Sequence, residues 1–188
     1  MIEIHPYNPN WPHEFMALAA SLRRALGDLA LRIDHIGSTS VPQLAAKDII
    51  DVQITVRAFD ESLITAMAAL GYTLRDDIDH DHRPPDWVGA DNEWEKRLFR
   101  APPTLRRTNT HVRIAGRANQ RYALLFRDYL RARPAAAAAY AELKRRLAPL
   151  FANTGAYADV KDPACDLIAV AAEDWAHVTN WRQGASDA

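Results

Sequence analysis

Two apolar extended stretches, Leu29–Ile36 and Ile49–Val56, flank Gly37-Ser38-Thr39-Ser40-Val41-Pro42. This strand–loop–strand unit constrains the fold more than any other part of the chain. Both stretches carry apolar alternation, and the short connection predicts that they are neighbours in one mixed sheet. Gly37 permits a tight turn and close backbone approach by a ligand. Ser38, Thr39 and Ser40 then offer three hydroxyls and exposed amides, a combination suited to phosphate oxygens. Twelve residues lie between Ser38 and Asp51. Asp51 falls inside the second apolar stretch, where an acid is costly unless it is paired or holds a metal. Two readings follow: the loop cradles an anion beside Asp51, or the loop is structural and Asp51 pairs locally.

The rest of the chain reads as α+β. Residues 2–5 alternate as a short strand. Asn10 is placed to cap a helix over Trp11–Leu26, with Pro12 in its first turn and Gly27 as its stop. Asp60 caps a second helix that ends before Gly71, and Tyr72–Leu74 is extended. The segment from Asp76 to Asn92 is an acidic, turn-rich surface loop. Glu95–Arg100 and Thr108–Ile114 are strands. Helices follow over Asn119–Ala132, Ala135–Leu150 and about Tyr157–Trp181, with Pro163 beginning or kinking the last. No internal repeat or domain boundary is visible, so residues 1–188 read as a single domain with strands first and helices after.

Composition bounds the setting. The chain is 48% hydrophobic and 25% charged, which excludes overall disorder. A lone cysteine, Cys165, forms no internal disulfide. There is no signal-peptide pattern and no apolar run of the ~18 residues a membrane span needs, so a cytoplasmic protein without membrane contact is expected. The net charge of −1 hides an asymmetry. Arg97 to Arg146 holds thirteen Lys or Arg against two acids, while Asp76 to Glu95 holds eight acids against Arg83. Such a division either draws an anionic ligand to one side or reflects solvated helix faces. Nucleic acid is not an expected partner, because neither a helix-turn-helix nor a stacked aromatic platform is present. Oligomeric state is not set by the sequence.

Gly37-Ser38, a spacer and a strand Asp51 together resemble the nucleotidyltransferase signature. That resemblance implies strand carboxylates holding Mg²⁺ or Mn²⁺, which bind the nucleotide triphosphate and activate an attacking hydroxyl. Asp51 is then the metal ligand, with Ser38 and Asp51 catalytic and Gly37, Ser38, Thr39 and Ser40 around phosphate. Lys47 could neutralise phosphate or lie in solvent. His111 and Arg113 flank Val112 and face the side of Asp51 if the strands pair, where they could support the anion. The chain departs from the pattern at Gln53, where a second acid is expected, and Thr108–Ile114 supplies no third carboxylate.

A more specific resemblance covers roughly residues 2–183. His35-Ile36-Gly37-Ser38-Thr39-Ser40-Val41-Pro42, Leu44-Ala45-Ala46-Lys47 and Ile49-Ile50-Asp51 are similar to the GrpB family signature. Asn109-Thr110-His111-Val112-Arg113, Leu124–Arg131, Tyr140 with Leu143-Lys144, Tyr157 with Lys161, and Ala172–Ala176 continue it. The family usually has Gly at Gln43 and Pro at Asp48. Membership implies a nucleotidyltransferase-like mixed β-sheet with helices packed on it and a helical C-terminal part, sometimes beside a dephospho-coenzyme A kinase domain. It also implies a nucleotide or phosphorylated small molecule as ligand. The reaction stays open between nucleotidyl transfer and a catalytically inactive binding module. Gln53 favours the second, and the intact Gly37–Pro42 loop favours ligand binding.

Other clusters are weaker. His80-Asp81-His82 with Asp77 and Asp79 could collect a metal, but neighbours in one loop rarely close a site. Arg127 with Arg131 and Tyr157 with Lys161 are i,i+4 pairs that either line a cleft or pack. Trp175 and Trp181 read as core or interface anchors. Ser38 with His35 or His111 would suggest a hydrolase, yet no Gly-x-Ser-x-Gly elbow is present.

Overall fold

A computed structural model describes residues 2–85 and 87–188 of the chain. Helix α1 runs from Trp11 to Leu26 and buries Trp11, Phe15, Ala19, Leu22 and Leu26, a stripe at helical spacing. Strand β1 (Arg32–Ile36) leads through a single 3₁₀ turn at Ser38–Ser40 towards β2 (Ile50–Val56). Helix α2 (Glu61–Ala69) starts at Asp60, whose carboxylate accepts the Leu63 amide at 3.1 Å. Strands β3 (Thr73–Leu74), β4 (Arg97–Arg100) and β5 (Thr108–Ile114) complete the sheet. Helices α3 (Ala118–Ala132), α4 (Pro134–Leu147) and α5 (Thr154–Thr179) follow.

The five strands lie in the order β1-β2-β5-β4-β3, so β1 and β2 are neighbours as expected. Only β2 and β5 run parallel; the other pairs are antiparallel. The chain leaves β2, makes α2 and the β3–β4 edge, and returns to insert β5 in the middle. This route sets Asp51 opposite Asn109 and Gln53 opposite His111. Because side chains alternate across a strand, the two faces differ completely. Ile50, Val52, Ile54, Val56 and Val112 point to one face and form the main core with α1, α2 and Phe99. Burial of each such side chain contributes roughly 1.5–3 kcal/mol. The opposite face carries Asp51, Gln53, His111 and Arg113 and is roofed by the C-terminal helices.

Three local expectations change. Residues 2–5 give only one bridge, His5 to Ala46, rather than a strand. Asn10 precedes α1 but is itself helical (φ −80°, ψ −18°) and makes no side-chain cap. Its amide instead donates to Asn8 Oδ1 at 2.9 Å. Helix α5 begins earlier than expected, because Asn153 caps it by accepting the Gly155 amide, and Pro163 lies within it.

The outer edge of β1 is covered by residues 184–188. Ser186 Oγ accepts the Ile33 amide, the Asp187 carboxylate accepts the His35 amide, and the Ala188 amide donates to the Ile33 carbonyl at 3.1 Å. Arg32 donates to the Gly184 and Ala185 carbonyls, and Arg127 to the Asp187 carboxylate.

Candidate functional site

Between the polar sheet face and helices α3, α4 and α5 lies a cavity of about 390 Å³. Gly37, Ser38, Thr39, Lys47, Asp51, His111 and Arg113 all line it. Ser40 does not. Its hydroxyl donates to the Gly37 carbonyl at 2.6 Å, and its carbonyl accepts Arg131. The Thr39 hydroxyl is engaged by His35 at 3.0 Å. That imidazole is stacked on Phe15, and burial followed by the Arg131 and Arg127 charges lowers its pKa to about 3.

Gly37 and Asp51 are tightly fitted. Gly37 has φ +68°, and a Cβ there would lie 2.9 Å from both Cβ and Cγ of Asp51. Only glycine satisfies both the backbone conformation and the contact. Asp51 Oδ1 accepts Asn109 Nδ2 at 2.8 Å. Burial raises the Asp51 pKa, although Asn109 and the charges of Lys47 and Lys161 oppose the rise.

Around this end of the cavity three lysines converge from three segments. Lys47 comes from the loop before β2 and lies 5.4 Å from the centroid of the Tyr157 ring. Lys144, from α4, is buried, donates to Ser38 Oγ at 2.7 Å and sits 4.6 Å from the centroid of the Tyr140 ring. Lys161, from α5, donates to Cys165 Sγ at 3.0 Å and lies 3.6 Å from Asp162. Burial, then the Lys161 ammonium, lowers Lys144 to about 7. Burial also lowers Lys47. For Lys161 burial works in the same direction, but the Cys165 sulfur and Asp162 outweigh it and the net shift is upward. Lys47 and Lys144 form no ion pair among the described residues.

The other end of the polar face is compensated. Asp81, from the acidic loop, takes a bidentate pair of bonds from Arg113 at 2.8 and 2.9 Å, one from Lys96 at 2.7 Å and one from Asn119 at 3.0 Å. Burial alone would raise its pKa, yet the Arg113 and Lys96 charges hold it far below the usual carboxylate range. Arg113 also donates to Gln53 Oε1 at 2.5 Å, and Gln53 donates onward to the Gln120 carbonyl. His111 is held well below its usual pKa by burial and then by Arg113, so it is neutral at pH 7. The remaining loop residues disperse: Asp77 pairs with Arg75, Asp79 with His80, and His82 with Asp166.

The divalent cation implied by the nucleotidyltransferase resemblance needs several oxygen donors. Asp51 offers one carboxylate, already shared with Asn109. Gln53 stands where a second acid would be, with its amide oxygen on Arg113. No group of three His, Cys, Asp or Glu among the described residues is arranged to hold a metal. The donors present do not fit a cation held by the protein alone. The positive charge at this end belongs to ammonium groups. Lys144 and Lys161 are the residues that sequence reasoning did not assign to an anion. Their shared signal is a Tyr four residues, about one helical turn, before a Lys, at Tyr140/Lys144 and Tyr157/Lys161.

Among the described residues no helix is long and apolar enough to cross a membrane. A family model described as "GrpB protein" matches residues 1–170. A dephospho-CoA kinase of Mycolicibacterium paratuberculosis is 36% identical to the chain, the match covering 96% of this chain and 48% of that protein. The chain thus spans about half the length of the first curated relatives it matches. A UPF0157 protein of Halalkalibacterium halodurans is 38% identical over 85% of this chain and 76% of its own length. A solved structure of the conserved protein GrpB from Enterococcus faecalis has a similar fold, with TM-score 0.71 and 29% identity. It covers 92% of this chain and 99% of that one.

Proposed function

The chain belongs to the GrpB family, and on that premise we propose that its cavity binds a nucleotide or another phosphorylated metabolite. The observation that carries this reading is that Lys47, Lys144 and Lys161 line one cavity together with the Gly37–Thr39 loop and Asp51. Among the described residues, Lys47 and Lys144 lack a carboxylate partner, so an anion that enters regains for them what burial costs. The longer mycobacterial relatives carry the name dephospho-CoA kinase, which adds coenzyme A precursors to the compounds to be tried. Nucleotidyl transfer is the reaction class suggested by the signature around Ser38 and Asp51.

A second reading has its own support. With Arg113 occupying Gln53, the sheet lacks the paired acids of a two-metal transferase, which favours a binding module without turnover. Calorimetric titration with pyrophosphate, nucleoside triphosphates and dephospho-coenzyme A, each with and without Mg²⁺ or Mn²⁺, tests both. Binding that weakens on the order of 10-fold in Lys47→Met or Lys161→Met supports the anion site. Unchanged affinity in both variants removes it. Asp51 is the one residue assigned to a cation. Asp51→Asn should therefore abolish whatever gain Mg²⁺ gives and leave the melting temperature within a few degrees of wild type.

A further inference from the structure

Anion binding leaves one contact in the cavity unexplained. Lys144 reaches from α4 to a single polar partner, Ser38 Oγ, at 2.7 Å. A buried lysine is ordinarily tied to a carboxylate, and among the described residues Lys144 has none. The groups facing it are Lys161 and Cys165 from α5, Asp51 from β2, Lys47 from the preceding loop and, on its own helix, Tyr140. Two neighbouring ammonium groups and burial oppose a third positive charge, and the pKa near 7 means that much of Lys144 is free amine at neutral pH. A free amine at this distance accepts the seryl proton, which is the arrangement that activates a hydroxyl nucleophile. Neither histidine near Ser38 competes for that role. His35 is committed to Thr39 beneath Phe15, and His111 contacts Arg113 at the compensated end. Ser38 lines the cavity directly after Gly37, whose missing side chain makes room for Asp51 against the loop.

We propose that Ser38 is a nucleophile towards phosphorus and that Lys144 is its general base. The ligand class, a phosphoanhydride, rests on the anion-binding reading of the same cavity. In the step, a bond forms between Ser38 Oγ and phosphorus, and the bond from phosphorus to the bridging oxygen breaks. The bridging oxygen leaves with the electron pair on the departing phosphate. The seryl proton passes to Lys144 Nζ, and the product is a seryl phosphoester. No oxidant or reductant takes part. Lys47 and Lys161 supply positive charge to the phosphoryl oxygens throughout, which lets Lys144 cycle between amine and ammonium.

A fluorophosphonate probe tests this on the intact chain, since its phosphorus takes the seryl oxygen and releases fluoride. Peptide mass spectrometry should place the label on Ser38, and Ser38→Ala should take none. General-base assistance is worth on the order of 100-fold or more, so Lys144→Met and Lys144→Arg should both slow labelling by about that factor. The wild-type rate should rise with pH through a step near the Lys144 pKa, and Lys144→Arg, which keeps the charge, should lack that step. An unlabelled Ser38, a Lys144→Arg rate equal to wild type, or a wild-type profile without the step overturns the assignment. The wild-type profile needs no variant, so a misfolded substitution cannot rescue or sink the idea. Calorimetry with pyrophosphate separates the two readings. Labelling without pyrophosphate binding removes the anion site but not the pair, and binding without labelling does the reverse.

Discussion

The two ends of the polar sheet face hold similar residues in opposite states. At one end Arg113, Lys96 and Asp81 are locked together, with Gln53 and Asn119 closing the remaining bonds. At the other, Lys47, Lys144 and Lys161 line the cavity with Asp51, and among the described residues only Lys161 has an ion pair, with Asp162. Burial penalises the charges of both sets, and the sets differ in what each has been given as partners. The first end is compensated within the fold, and the second is the end to which the anion-binding proposal is assigned.

The largest expected effect breaks the compensated end. Arg113→Met leaves Asp81 buried with Lys96 as its one cation and frees the Gln53 amide. Loss of one member of a buried pair should destabilise the chain by ~3–5 kcal/mol in chemical denaturation. A loss below about 1 kcal/mol would mean that Arg113 is not structural and returns it to the ligand.

Lys144→Met should act in the reverse sense. It removes an uncompensated ammonium and keeps the apolar stem, so stability at pH 7 should not fall by more than ~1 kcal/mol. Pyrophosphate affinity should fall roughly 10- to 100-fold. The pH dependence sharpens the contrast. Lys144 has a folded pKa of about 7 against an ordinary 10.5, so between those values the unfolded chain binds more protons. Wild-type stability should therefore rise with pH across that window relative to Lys144→Met, by at most ~1.4 kcal/mol per pH unit. Below pH 7 both states carry the charge and the difference is flat. Pyrophosphate affinity should decline as pH rises through 7. Parallel stability curves for the two proteins would show that Lys144 is not perturbed.

The smallest effect comes from restoring the acid that the nucleotidyltransferase pattern expects. In Gln53→Asp the new carboxylate meets the Arg113 guanidinium, which already sits on that position. It should be absorbed as a further ion pair, with stability changed by about 1 kcal/mol or less and no gain in Mg²⁺ affinity by calorimetry. A clear gain would mean that Arg113 yields the position and that the paired-acid geometry survives.

Much of this architecture is legible in the sequence. The alternation of Ile49–Val56 and Thr108–Ile114 dictates that Asp51, His111 and Arg113 share a face once the strands pair, and the register brings them together. The Gly37 turn is legible because few residues satisfy its requirements. What the sequence conceals is which charges are compensated. The thirteen cations between Arg97 and Arg146 look alike in the chain. Arg106, Arg121 and Arg146 are spent on Glu14, Glu173 and Glu142, while Lys144 alone among them reaches Ser38. Part of the excess is therefore consumed in ion pairs, while Arg127, Arg131 and Lys144 reach His35, Ser40 and Ser38. Asp81 hides likewise among the acids of its loop, because its partner lies 32 positions away. Periodicity reports which side of an element is buried; it does not report what a buried charge will meet.

The segment along β1 carries a consequence for how the molecule behaves in a crowd. An open edge strand offers its amides and carbonyls to any extended chain, and edge-to-edge growth begins from such surfaces. Here residues 184–188 occupy that edge with their own hydrogen bonds, and Arg32 and Arg127 pin them in place. Because Arg127 also donates to the His35 carbonyl, peeling the segment away would loosen α3 and with it one wall of the cavity. Resistance to aggregation and integrity of the cavity thus hang on the same short strap.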